Sequence, residues 1–262
     1  MNRENMKKER KSWEGEDGKV IFNTQNLRLK LFRYKPEVKK LNIICTDVIP
    51  DTDNDIFRQE DYARQYGDIV EMYIPRTWKL ELEIVSKKLA RKINNDSFFD
   101  KYVSIVFIAV GAAGLCVIDM LKYLKIDKAI MIATISTPFY GTLMANRSEV
   151  NKFIRFFDRI NRLDYQRMTK MFHILNKDLI TGSKFLLGID YEQLKRCRFI
   201  NFVAEDENPE TKVAEKVFGP ISNDGIVTTI SQECMSPNVD RCVHLVSSHE
   251  DALFKALEYF RS

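Results

Sequence analysis

The stretch that most constrains the fold is residues 103–121, VSIVFIAVGAAGLCVIDML. Val103 to Val110 form an apolar run rich in β-branched residues, the pattern of a strand covered on both faces within a parallel sheet. Leu115, Ile118 and Leu121 then recur at helical spacing, which predicts an amphipathic helix with one face packed back onto that sheet. The Gly and Ala residues between them let the backbone turn sharply and let the helix pass close to the strand. The turn itself, GAAG, contains no side chain that can do chemistry.

The rest of the chain repeats this alternation. Residues 1–18 are polar and charged with little to bury, and are expected to form a frayed tail. VIF and LRLKLF, between Lys19 and Tyr34, suggest an antiparallel hairpin at a sheet edge. LNIICTDVI (41–49) reads as a buried strand running into the turn-rich PDTDNDI, and a helix around Asp55 to Tyr66 stops at Gly67. DIVEMYIP is a strand and LELEIVSKKLARKI an amphipathic helix. KAIMIATI (128–135), RFINFVAEDE (198–207) and the opening of CVHLVSSHEDALFKALEYF supply further strands, the last followed by a helix. Strands alternating with helices imply an α/β domain over 19–262, with a mostly parallel central sheet and helices on both faces. Residues 145–196 break the rhythm. They are charged, aromatic and largely helical by pattern, and read as a cap inserted over the carboxyl ends of the strands, where such folds bind ligands.

Composition excludes several classes. With 45% hydrophobic and 11% aromatic residues, the 262-residue chain is expected to fold as a globule rather than stay disordered. The formal charge of +4 is spread over mixed signs without a basic run interleaved with aromatics, so nucleic acid is not an expected partner. No apolar run reaches the length of a membrane helix and no signal-peptide core follows the charged start, which makes the cytoplasm the expected location. Cys45, Cys116, Cys197, Cys234 and Cys242 form no CxxC pair and no zinc-like cluster with His, so they read as reduced packing thiols, and neither metal nor cofactor is implied.

Four segments, in order, resemble the lipase/esterase branch of the α/β-hydrolases. LARKINNDSFFDKYVSIVFIAVGAAGL resembles the family's helix, strand and nucleophile elbow, which commonly ends GHSxGGL. TISTPFYGT resembles the signature GTPHxGS after the next strand. SNDGIV resembles the NDGxV loop that carries the acid of the catalytic triad, which implies that role for Asp224. SSHEDAL resembles the terminal loop and helix carrying the base, which implies that role for His249. The family's chemistry needs a hydroxyl, an imidazole to take its proton, and a carboxylate to orient the imidazole. Read without the resemblance, Asp224 makes an Asx turn and His249 is a loop residue near a helix cap. His244 reads as a core or sheet residue, and His173 as part of the packing of the insertion.

The resemblance fails at the elbow. Aligning AVGAAGL with GHSxGGL puts Gly111 at the nucleophile position; a shift by one residue puts Ala112 there. Neither carries oxygen. Cys116, a turn into the helix, and Ser136, after a different strand, are weak substitutes. Lipases often carry His-Gly after the strand equivalent to LNIICTDVI, where backbone amides stabilise an oxyanion. This chain has Thr46 and Asp47 there, followed by Asp51, Asp53 and Asp55. Thr46, Asp47 and Tyr140 are candidates to line a substrate pocket. Phe153, Phe156, Phe157, Met168, Met171 and Phe172 either pack the insertion onto the core or offer an apolar lid face for a small-molecule or acyl-lipid ligand. The expectation is a hydrolase scaffold of ester-cleaving ancestry with absent or much reduced activity, or a ligand-binding or regulatory module on that scaffold.

Overall fold

The computed structural model describes residues 19–24, 27–32, 39–46, 66–73, 81–145, 176–205, 215, 219–246 and 249–261. Its strands are β1 (Lys19–Thr24), β2 (Leu27–Phe32), β3 (Lys40–Thr46), β4 (Ile69–Tyr73), β5 (Ser104–Val110), β6 (Ala129–Ile135), β7 (Cys197–Glu205) and β8 (Arg241–Val246). They form one eight-stranded sheet in the order β1-β2-β4-β3-β5-β6-β7-β8. β1 pairs with β2, and β2 with β4, antiparallel; every other neighbouring pair is parallel. The hairpin expected from VIF and LRLKLF therefore closes one edge. The continuous β-branched runs occupy the centre, where both faces are covered.

The helices are α1 (Leu82–Asn95), α2 (Ala112–Met120), α3 (Lys184–Leu187), α4 (Thr229–Gln232) and α5 (His249–Tyr259). Alternation along β5 sends Ile105, Phe107 and Ala109 into a core shared with α1 and α2, and Val106, Ile108 and Val110 into a second core under α5. Helices thus cover both faces. In α1 the buried residues Leu82, Val85, Leu89, Ala90 and Ile93 form one stripe, as expected of an amphipathic helix.

α2 departs from the expectation of an amphipathic helix, because every residue from Ala112 to Met120 is buried. It is wedged between the sheet, α1 and the turn Tyr191–Arg196, and a helix buried all round must be apolar all round. Asp119 is the exception. Of the helix expected around Asp55 to Tyr66, only Tyr66 lies in the described residues; Gly67 follows it with φ 97°. Residues 146–175 of the insertion, with its lid aromatics and His173, also lie outside them. Its described part, 176–196, consists of short turns at Lys177–Leu179 and Tyr191–Arg196 flanking α3. No helix among the described residues is long and apolar enough to cross a membrane.

All five cysteines are free: Cys45 and Cys116 buried, Cys197 and Cys234 half-buried, Cys242 exposed. Burial pushes the Cys234 thiol up to about 11 and that of Cys197 up to about 12. Both are therefore protonated at neutral pH, and the thiolate is the form that reacts. Iodoacetamide at pH 8, followed by peptide mass spectrometry, should label Cys242 first. Labelling of Cys234 should rise with pH until about 11, and Cys45 and Cys116 should stay unmodified until the chain unfolds. Rapid native-state labelling of either buried thiol would contradict this core.

Candidate functional site

The turn between β5 and α2 is centred on Gly111, with φ 63° and ψ −137°. A side chain there is strained, and glycine adopts the conformation without a Cβ penalty. The turn is held on three sides. Gly111 N donates to Ile135 O at 2.9 Å, and Gly111 O accepts from Gly114 N at 3.1 Å and from Thr137 Oγ1 at 3.0 Å. A Cβ on Gly114 would lie 2.1 Å from Thr137 Oγ1, so the first turn of α2 presses directly against the end of β6. Ala112 already belongs to the helix. The sharp turn is therefore at Gly111, the first of the two positions considered above.

Asp224 sits in a tight loop between β7 and β8, closed by a bridge between Asn223 and Thr228. It is 6% exposed. Its Oδ1 accepts from Ile226 N at 2.9 Å and Val227 N at 2.8 Å, and its own amide donates to Val227 O at 3.2 Å. Gly225 turns the chain at φ 94°, its amide donating to Asn223 Oδ1. These are the Asx-turn contacts the local sequence calls for. Burial of the carboxylate goes beyond what an ordinary surface turn needs.

Sequence reading missed the residues that anchor this loop. Gln232, fully buried in α4, accepts from Ala204 N at 2.8 Å through Oε1 and donates through Nε2 to Ala204 O and Val227 O, each at 3.1 Å. β6 stops pairing with β7 at Phe202, where Ser136 N makes the last bond, to Phe202 O. The Gln232 amide takes over two residues further on and acts as a short substitute strand. Asn201, also buried, accepts from Thr134 Oγ1 at 2.8 Å and donates to Gln232 O at 2.8 Å. Thr142 Oγ1 donates to Ile226 O at 2.6 Å, tying the segment after β6 to the Asp224 loop. A lone Gln in TISQEC carries no sequence signal for this role. Only the ending of β6 creates it.

The remaining candidates are distributed around the same edge. Thr46 ends β3 and is buried, whereas Asp47, Asp51, Asp53 and Asp55 lie outside the described residues. Tyr140 follows β6, is 45% exposed, and has its phenol pushed up by partial burial and by nearby Cys234. His249 is the first residue of α5, just after β8; its side chain lies outside the described residues. β3, β5, β6, β7 and β8 run in one direction. Thr46, Gly111, the 136–142 segment, the Asp224 loop and the start of α5 therefore meet at the carboxyl edge of the sheet, where open α/β sheets bind their ligands.

No protein-family model matches the sequence, and no curated protein matches it. In three dimensions the chain is similar to the mature Bacillus licheniformis lipase BlEst2, with a TM-score of 0.59 at 12% identity over 87% of this chain and 94% of that one. It is also similar to the Pyrococcus furiosus esterase Pf2001, with a TM-score of 0.52 at 11% identity over 96% of this chain and 94% of that one. The chain has the α/β-hydrolase fold.

Within this fold the weak substitutes for the nucleophile are poorly placed. Cys116 is fully buried in α2, its sulfur 3.9 Å from Leu82 O and directed toward α1. Ser136 follows β6 in a left-handed conformation, φ 50°, and is 2% exposed. His244, read above as a core or sheet residue, is on β8 but exposed, 3.5 Å from Glu233; as β8 ends the strand order, its outer positions face solvent. Among the described residues no group of three or more His, Cys, Asp or Glu could hold a metal ion.

Proposed function

We propose that this chain is a lipase/esterase-like α/β-hydrolase protein in which Gly111 stands at the nucleophile position, Asp224 at the acid and His249 at the base. On this reading it binds a small-molecule or acyl-lipid ligand at the carboxyl edge and hydrolyses carboxylic esters weakly or not at all. The observation that carries the reading is the backbone at Gly111. A left-handed turn directly after the central strand, strained for a residue with a side chain and pressed against β6 through Gly114, is the geometry in which such folds expose a nucleophile. Here it exposes none. With Gly111 the acyl-enzyme route is closed, since no oxygen can attack the ester carbon. An Asp224–His249 pair can at most activate a water, and losing one triad member costs several orders of magnitude in rate.

Hydrolysis of nitrophenyl acetate, butyrate and octanoate by the native chain tests this directly. The native chain and His249→Ala should give the same rate, close to the uncatalysed one. Native turnover at a rate typical of an esterase, abolished by His249→Ala, is more than an activated water can supply; it would sink the assignment of Gly111 and demand another nucleophile. The acids that follow β3 favour the second reading, a ligand-binding or regulatory module, because negative charge opposes an oxyanion.

A further inference from the structure

Two thiols that the candidate hydrolase site leaves unused lie on facing segments at the β8 edge of the sheet. Val243 and Leu245 of β8 pack under α5, so alternation turns Cys242 and His244 to the opposite face. The chain leaving α4 crosses that face. Asn201, paired with Cys242 across β7 and β8, donates through Nδ2 to Gln232 O at 2.8 Å and to Cys242 Sγ at 3.6 Å. One residue beyond Gln232, Glu233 Oε1 stands 3.5 Å from His244 Nε2. Cys234 comes next. It is half-buried against the core shared with α1 and α2, and the charge of a Cys242 thiolate adds to the rise that burial imposes on the Cys234 thiol.

This pair differs from the other three thiols. Cys45 and Cys116 are also neighbours, but both are fully buried and closed to an oxidant. Cys197 starts β7 opposite Ile130. Cys242 alone is exposed, so a reagent can reach one member of a pair whose other member is sheltered. Burial raises the Cys242 thiol as well, which leaves neither thiolate stabilised. A dithiol of that kind reacts slowly but, once oxidised, resists reduction.

We propose that Cys234 and Cys242 form a redox-sensitive pair that closes to a disulfide on meeting a low-molecular-weight disulfide. The Cys242 thiolate attacks one sulfur of that reagent, forming a mixed disulfide and releasing one reagent thiolate. The Cys234 thiolate then attacks Cys242 Sγ, which forms the protein disulfide and releases the second. The protons lost from the two protein thiols pass to the two released thiolates, and the two electrons lost by the protein reduce the reagent. Cys234 lies two residues beyond Gln232, which anchors the Asp224 loop, and β8 leads into α5. The new bond therefore fastens together the two elements behind the candidate site.

The test equilibrates the full chain at mildly alkaline pH in mixtures of reduced and oxidised glutathione, followed by acid quenching, alkylation and peptide mapping. One disulfide, Cys234–Cys242, should accumulate as the oxidised share rises, and the unfolding midpoint of that form should lie several degrees above the reduced one. Cys234→Ser should keep a glutathione adduct on Cys242, whereas Cys242→Ser should stay unmodified; both substitutions are small enough to leave the fold intact. A lasting glutathione adduct on Cys242 of the native chain, a bridge to Cys197 instead, or no bridge in fully oxidised buffer would overturn the proposal. An unchanged midpoint would overturn the fastening of the α4 segment to β8.

Discussion

Gly111→Ser is expected to turn this chain into a measurable esterase, with nitrophenyl ester hydrolysis rising on the order of 10²-fold or more over the native protein. Restoring a triad nucleophile in a complete site is worth far more, about 10⁴ or above. The expected gain is smaller because, on the proposed reading, the oxyanion loop is also altered. Thr46 ends β3 where lipases carry His-Gly, and loss of an oxyanion donor alone costs about 10²–10³ in kcat. The variant should also be less stable, since Ser at φ 63° and ψ −137° is strained by about 1–3 kcal/mol. The bonds of Ile135 O, Thr137 Oγ1 and Gly114 N to Gly111 hold the turn in place, so strain should appear as a lower Tm rather than a moved elbow. Adding His249→Ala or Asp224→Asn to Gly111→Ser should remove the gain, and Ala112→Ser should not produce it, because that residue is already helical. Activity in Ala112→Ser but not in Gly111→Ser would reverse the assignment of the position.

The fold was legible because its signals are local. A run such as VSIVFIAV must be covered on both faces, and the alternating edge pattern before Tyr34 must be a hairpin. No local pattern specified the strand order, in which β4 lies between β2 and β3. α2 was misread for a physical reason. Leu115, Ile118 and Leu121 mark one apolar face, but Ala113, Cys116, Val117 and Met120 fill the other, and only packing against α1 and the 191–196 turn tells the two situations apart. The sharp turn was legible in the sequence as small residues, while its centring on Gly111 rather than Ala112 needed backbone angles, which composition does not encode. Asp224 and His249 were picked out by short motifs. Gln232, Asn201 and Thr142, which hold the Asp224 loop to the sheet, were invisible, since a buried polar side chain is specified by which backbone groups the fold leaves unpaired. His244 lies on β8 within the range of its reading as a core or sheet residue; its exposure was not legible because the sequence does not reveal which strand is last.

Gln232→Leu is expected to cause the largest loss of stability of any single substitution near the site. Leucine has nearly the same volume, so the change removes hydrogen bonds without leaving a large cavity. It strands Ala204 N and Ala204 O, both served by the Gln232 amide in a fully buried setting, and takes from Val227 O one of its two donors, leaving Asp224 N. Each orphaned buried group costs about 1–3 kcal/mol, so a total of roughly 3–5 kcal/mol is expected, with a fall in Tm on the order of 10 °C. Gln232→Glu should be as harmful, because a carboxylate can still accept from Ala204 N but faces two carbonyl oxygens with no donor. The effect is also directional. The amide continues the sheet beyond the end of β6 and holds the strand of the loop that closes on Asp224, so in the Gly111→Ser background the leucine variant should lower kcat more than it raises KM. Thermal unfolding of the single variant and steady-state ester hydrolysis of the double variant separate the two parts. A Tm within a degree or two of the native value would show that water or a neighbouring side chain can replace the Gln232 amide. The continuation of β7 through a side chain would then not be what fixes the Asp224 loop.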